Sequence, residues 1–144
     1  MTERCIDANI AVKLFIKGEA FRHKALKLLR ESQAAGITLI APPLFEMETD
    51  SVIQTRVVDG RATPGVADKT LALLDNAPVM IVSHPLQRER AREIARQFNQ
   101  RKVYDATYAA LAELRGCEFW TADKAFYEAV KAALPFVKYL PDYP

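Results

Sequence analysis

The sequence predicts an α/β fold with a mainly parallel sheet of about five strands. Short apolar runs that favour strands alternate along the 144 residues with longer segments whose apolar residues recur at helical spacing. This alternation is typical of layered folds in which helices cover a parallel sheet. Because 50% of the residues are hydrophobic, the chain can build one sizeable core, and we expect a single domain spanning residues 1–144.

The predicted strands are short and apolar, and the pattern is weakest in the last of them. They cover residues 4–6, 38–41, 79–82, 118–121 and 136–139. After the last strand, the proline-rich tail LPDYP is expected to be irregular.

Helices are predicted between the strands, with proline and glycine marking their ends. Proline can open a helix because the N–H that it lacks would have no partner there, and glycine readily adopts the left-handed conformation that ends one. The expected helices are residues 19–34, a helix opened by Pro42 and Pro43 that runs to about residue 59, a shorter helix through Leu71 and Leu74, a helix begun by Pro85, and residues 104–115.

The composition excludes several kinds of site. Neither of the two cysteines and neither of the two histidines has a partner at the spacing of a zinc site or a catalytic triad. No run of about 18 uncharged apolar residues exists, and Glu3, Arg4 and Asp7 lie where a signal peptide would be apolar. We therefore expect a cytoplasmic protein without a membrane segment.

Four acidic residues lie where separate segments end or turn. Asp7 follows the first strand and Asp123 follows the fourth. Sites in open α/β sheets form at the carboxyl ends of the strands where the strand order reverses, so these two carboxylates would face each other if their strands are neighbours. Asp105 at the start of one helix and Glu48 inside another would complete the cluster. Carboxylates packed so closely repel unless a divalent cation neutralises them, and their oxygens suit magnesium or manganese.

Each acid also has an ordinary structural explanation. Asp7, Asp105 and Asp123 are at positions where acidic residues cap a helix or interact with its dipole. Glu48 could lie on a solvated helix face. The joint placement of the four residues, rather than any one of them, favours a metal site.

Three segments resemble the signature regions of PIN-domain nucleases, particularly the toxins of VapBC type. They are DAN after the first strand, APPLFEMETDSVI, and YDATYAALAELRGCEFWTADKAF. The resemblance implies a three-layer α/β/α sandwich in which Asp7, Glu48, Asp105 and Asp123 are the catalytic and metal-binding acids. It makes Asn9 and Thr121 supporting polar residues. Glu46 lies on the same helix as Glu48, but the spacing from Ala41 and Pro42 assigns the family's glutamate to Glu48, and Ser51 replaces a frequent asparagine.

The function that this resemblance implies is metal-dependent hydrolysis of RNA. The expected enzyme is an endoribonuclease that uses Mg²⁺ or Mn²⁺ and leaves a 5′-phosphate and a 3′-hydroxyl. As a VapC-type toxin it would have a small cognate antitoxin and would form a homodimer. Two alternatives are open: a PIN-like module that binds RNA or protein without cutting it, and a CheY-like domain that binds one magnesium ion.

Positive charge is concentrated in one stretch, although the net charge is only +2. Between Pro85 and Lys102 there are six basic residues and two glutamates. Arg88, Arg92 and Arg96 recur every four residues along one helical stripe and could bind an RNA backbone, or they could form a solvated face. Two aromatic residues nearby, Tyr104 and Tyr108, could stack on bases or pack at the edge of the core.

Overall fold

Five parallel strands form one sheet in the computed structural model, which describes residues 2–144. The strands are β1 (Glu3–Ile6), β2 (Thr38–Ala41), β3 (Val79–Ile81), β4 (Glu118–Thr121) and β5 (Val137–Tyr139). Their order across the sheet is β3-β2-β1-β4-β5, so the sequence order reverses between β1 and β4. The predicted α/β class is confirmed, and each strand boundary agrees with its prediction to within one residue. This order differs from the 2-1-3-4-5 order of CheY-like domains.

In residues 2–144, seven α-helices and a short 3₁₀ turn cover the sheet. They are α1 (Ala8–Phe15), α2 (Arg22–Ala34), α3 (Leu44–Val58), α4 (Pro64–Asp75), α5 (Gln87–Gln97), α6 (Tyr104–Arg115), α7 (Lys124–Val130) and the turn Leu140–Asp142. Adjacent residues of a strand point to opposite faces, and Leu39 and Ile40 of β2 are both buried, so helices cover both faces of the sheet. Among residues 2–144, no helix is long and apolar enough to cross a bilayer.

The helices expected from the sequence did not include α1 or α7, although Asp7 and Asp123 were considered as helix caps, and α2 was expected to begin too early. α1 has eight residues and α7 has seven, so each makes about two turns, which is too short for a helical period to show in the sequence. The second helix begins at Arg22 instead of residue 19, because Phe21 before it has a left-handed backbone with φ of 59°. A left-handed residue cannot continue a right-handed helix.

The tail that we expected to be irregular is packed against the body of the protein. Tyr143 is buried, its ring meets that of Trp120 edge-on at 5.0 Å between centroids, and its hydroxyl donates to Glu31 over 2.5 Å. The tail is therefore attached to both β4 and α2.

The end of α6 provides a test of this fold. Gly116 has φ of 67°, and the hydrogen bond from Cys117 N to Ala112 O directs the chain into β4. No atom lies within 4 Å of a Cβ added at Gly116, so the cost of Gly116→Ala would be conformational. We expect this substitution to lower the free energy of unfolding by about 1–2 kcal/mol.

Gly65 supplies the matched control for that measurement. A Cβ at Gly65 would also meet nothing within 4 Å, but its φ is not positive and it lies inside α4. Gly65→Ala should therefore be neutral or stabilising by up to about 1 kcal/mol in urea unfolding. Equal effects of the two substitutions would show that backbone handedness does not control the α6–β4 junction.

Candidate acidic cleft at the carboxyl end of the sheet

Asp7 lies at the junction of the two central strands. It directly follows β1, and its backbone N–H donates to Trp120 of β4 over 3.3 Å. Its side chain is 3% exposed and accepts three hydrogen bonds: from Ile10 N at 2.9 Å, Thr121 Oγ1 at 2.8 Å and Ala122 N at 3.0 Å. Burial raises the pKa of Asp7, whereas these hydrogen bonds act in the opposite direction.

Thr121 connects Asp7 to the second acid of this edge. Its buried hydroxyl donates to Asp7 and accepts from the backbone N–H of Asp123 over 3.0 Å. Asp123 in turn caps α7 by accepting from Phe126 N at 2.9 Å. The capping roles considered for Asp7 and Asp123 are therefore real, and both carboxylates also face the same end of the sheet.

Asp105 joins this cluster from the first turn of α6. Burial, followed by the negative charges of Asp123 and Asp7, raises the pKa of Asp105 to about 8. At neutral pH its carboxyl therefore carries a proton in the metal-free protein. A cation bound among these groups would favour the ionised form.

Glu48 approaches from α3, on the other side of the cleft. Burial raises the pKa of Glu48, and its Oε1 atom is buried without a hydrogen-bond partner. The Tyr108 hydroxyl lies beside the Glu48 carboxylate and acts to lower the pKa of Glu48, although the contact does not meet hydrogen-bond geometry. Tyr108 is 1% exposed and stacks on Phe119 at 5.6 Å between centroids, so it is a core residue and is not accessible to a base.

Three of the four acids line an open cleft of about 460 Å³, and Asp7 lies buried next to it. The residues that line the cleft are Asn9, Glu48, Asn99, Gln100, Arg101, Lys102, Tyr104, Asp105 and Asp123. Four of these residues were not expected from the sequence to belong to the site: Asn99, Gln100, Arg101 and Lys102. A signal was present, since the basic stretch ends at Lys102, three residues before Asp105.

The two glutamates of α3 face different cavities. Glu48 lines the acidic cleft. Glu46 is exposed and lines a separate cavity of about 370 Å³ with Leu74 and Ile81. The geometry therefore favours Glu48 over Glu46 as the glutamate of the acidic cluster.

The arginines of α5 lie beside the cleft and not within it. Arg92 and Arg96 line an adjoining cavity of about 460 Å³, which shares Asn99 and Gln100 with the acidic cleft. Arg88 lines neither cavity. Within residues 2–144, none of these three arginines forms an ion pair, in contrast to Arg90, which pairs with Glu113 at 2.5 Å.

The four acids offer oxygen donors of the kind that hard divalent cations bind, but they are not arranged as a complete set of metal ligands. Their donors are all carboxylate oxygens, and Glu48 Oε1 is buried without a partner. In the part of the chain that the structure describes, no three His, Cys, Asp or Glu side chains are arranged closely enough to hold a metal ion.

Comparison with known proteins gives one family and several structures. A family model for the PIN domain matches residues 4–132. A solved protein from Pyrobaculum aerophilum is 19% identical with a TM-score of 0.69, covering 97% of this chain and 92% of that one. The other two structures are a toxin-antitoxin complex and a toxin, and at these identities all three likenesses show the fold alone. The search of curated proteins found no match.

The toxin-antitoxin complex and the toxin have the same TM-score of 0.60. One is a toxin-antitoxin complex from Klebsiella pneumoniae, 21% identical over 93% of this chain and 94% of that one. The other is a VapC toxin from Mycobacterium tuberculosis that cleaves the sarcin-ricin loop, 19% identical over 88% of this chain and 94% of that one.

The pKa of Asp105 predicts how stability depends on pH. Because its pKa of about 8 exceeds the ordinary value of 3.8, its contribution to stability is complete at low pH and is lost as the pH rises towards 8. In EDTA, the free energy of unfolding should fall by roughly 2 kcal/mol or more between about pH 4 and pH 8. Urea unfolding across this range measures the change.

The matched variant for this experiment is Asp105→Asn, which removes the titrating group and keeps the shape of the side chain. We expect a flatter pH profile for this variant and a higher stability than the wild type at pH 8. A stability that rises through this window, or an unchanged profile in the variant, would show that Asp105 ionises normally in the folded protein.

Proposed function

The chain belongs to the PIN domain family, and from this premise we propose that it is a metal-dependent endoribonuclease that hydrolyses RNA phosphodiester bonds. The observation that supports the proposal best is the convergence of Asp7, Glu48, Asp105 and Asp123 from four separate segments. Holding four carboxylates close together, with Asp7 buried among them, is unfavourable for folding. A cation bound by these residues would neutralise their charges and offset this cost.

Asp7, Glu48, Asp105 and Asp123 are the residues that would hold Mg²⁺ or Mn²⁺, directly or through water. When bound, the ion would supply a water of lowered pKa and polarise the phosphoryl oxygen. The protein's own contribution is orientation. Thr121 holds the Asp7 carboxylate and the backbone of Asp123 through one hydroxyl, and Asn9 offers an amide to the cleft.

RNA is negatively charged and would be repelled by the acids of the cleft. Nearby positive charge is therefore needed to attract it. Arg101 and Lys102 supply positive charge at the cleft itself. Arg92 and Arg96 extend it into the adjoining cavity, whereas Arg88 is farther along the helix and would contribute less. Under this proposal the RNA backbone crosses the connection between α5 and α6 and reaches the acids from that side.

We assign the protein more specifically to the VapC-type toxins of toxin–antitoxin pairs. The resemblance of its three acidic segments to these toxins supports the assignment, together with a fold shared with a toxin-antitoxin complex and with a VapC toxin. The proposal includes a cognate antitoxin, a homodimer and action in the cytoplasm. A PIN-like binding module without nuclease activity is the alternative that the following experiments would reveal.

Substitution of the acids tests the catalytic assignment. Asp7→Asn and Asp105→Asn should each lower the rate of RNA cleavage by about 100-fold or more, because each removes a charged ligand. Glu48→Gln should lower it by about 10- to 100-fold. Cleavage of labelled RNA in Mg²⁺, with thermal unfolding to verify the fold, measures these effects.

Glu46→Gln is the control on the same helix and should cut RNA at nearly the wild-type rate. If Glu46→Gln loses RNA cleavage and Glu48→Gln keeps it, the acidic cluster has been assigned to the wrong face of α3. If the wild-type protein binds RNA but never cuts it in Mg²⁺ or Mn²⁺, the binding-module alternative holds.

The salt dependence of RNA binding tests the role of the arginines. Changing Arg92 and Arg96 together to Gln should weaken binding and reduce the slope of log affinity against log salt by roughly one per lost phosphate contact. Arg88→Gln should change the slope less. Binding to RNA in EDTA over a salt series measures the slopes. Equal slopes in all variants would mean that this stripe is a solvated face.

A further inference from the structure

Two side-chain amides lie where the acidic cleft meets the cavity of the arginines. Among residues 2–144, Asn99 and Gln100 are the residues that line both spaces. Asp105 lines only the cleft, whereas Arg92 and Arg96 line only the adjoining cavity. A ligand that contacts both the acids and the arginines therefore passes the two amides.

The backbone of Asn99 is held at the end of α5. Its φ of 53° is in the left-handed region, and its N–H donates to Arg96 O over 3.3 Å. The next N–H, that of Gln100, donates to Ala95 O over 2.8 Å, so two hydrogen bonds close the end of the helix. The side chain of Asn99 is therefore attached to a rigid helix end, which restricts where its amide can reach.

The amide of Asn99 is free to bind a ligand. The residue is exposed, and no side-chain hydrogen bond within residues 2–144 involves its amide. Gln100 differs, because its Nε2 donates to Phe98 O over 3.0 Å. An amide offers a donor beside an acceptor, and this pair recognises a base edge that has the complementary groups. Arginines that contact phosphates do so in any sequence, whereas an amide that contacts a base edge distinguishes one base from another.

We propose that Asn99 determines which base the enzyme accepts at the nucleotide next to the bond that is cut. This inference rests on the proposed ribonuclease function and adds the residue that selects the substrate sequence. With one phosphate at the acids and the neighbouring phosphate at Arg92 and Arg96, the nucleoside that joins them lies against the segment that the two cavities share. The base of that nucleoside meets the Asn99 amide.

The experiment uses oligoribonucleotides that contain the cleavage site mapped with the wild-type protein, with each of the four bases placed in turn on either side of the cut bond. The ratio kcat/KM in Mg²⁺ is measured for the wild type, Asn99→Gly and Asn99→Asp. Glycine adopts a φ of 53° without strain, so Asn99→Gly removes the amide and keeps the backbone. Gln97→Ala is the matched control, since Gln97 is an exposed amide at the end of α5 that lines neither cavity.

We expect the wild type to prefer one base at one of these nucleotides by about 5- to 100-fold, which is the usual discrimination of one bidentate pair. Asn99→Gly should bring the four bases to within about twofold of one another, mainly by lowering kcat/KM on the preferred substrate. Asn99→Asp should change the order of the bases, because a carboxylate accepts hydrogen bonds and donates none. Gln97→Ala should keep the wild-type preference.

Urea unfolding separates the selection of a base from the stability of the fold. Asn99→Gly should unfold at nearly the same urea concentration as the wild type, because the helix end keeps its conformation. If Asn99→Gly unfolds too readily to assay, the order of the bases in Asn99→Asp decides, since aspartate also tolerates the left-handed conformation.

Two outcomes would overturn the inference while leaving the nuclease assignment intact. One is the wild-type preference in both Asn99→Gly and Asn99→Asp, which would show that Asn99 serves only to end the helix. The other is a wild-type protein that cuts equally well beside all four bases. A wild-type protein that cuts no RNA in Mg²⁺ or Mn²⁺ would instead remove the proposed function itself.

Discussion

The burial of the Asp7 carboxylate is the constraint on which this site depends. A buried carboxylate is costly unless hydrogen bonds satisfy it, and the three donors to Asp7 come from the start of α1 and the end of β4. The same side chain therefore begins a helix and joins the carboxyl ends of the two central strands. The hydroxyl of Thr121 extends this connection to Asp123. Pairing of β1 with β4 thus determines where Asp7 and Asp123 lie.

Repulsion between the acids links stability to ligand binding. Burial and neighbouring charges raise the pKa of Asp105, and burial raises those of Asp7 and Glu48. The metal-free cleft is consequently less stable at a pH where all of these groups would ionise. A ligand that binds only the folded state stabilises it. A cation bound in the cleft would therefore offset this loss of stability at the site of the proposed reaction.

The connection between α5 and α6 brings opposite charges together. Asn99, with φ of 53°, ends α5 in a left-handed conformation that asparagine tolerates, and the chain reaches Tyr104 a few residues later. Asn99 and Gln100 line both the acidic cleft and the cavity of Arg92 and Arg96. The proposed polyanionic substrate would need both surfaces, since the cations would attract its backbone and the acids would hold the metal ion.

The sequence by itself determined the α/β class, the strand positions and the acids at strand ends, because apolar periodicity and the residues that end helices and strands are local properties. It did not give α1 as a helix, because eight residues are too few for a helical period to show in a sequence. The spacing and the family resemblance already favoured Glu48 over Glu46, whereas only the tertiary structure decided that Tyr104 lines the cleft and that Tyr108 is buried in the core. The direction of a side chain depends on which elements pack around its helix, and that packing is a long-range property.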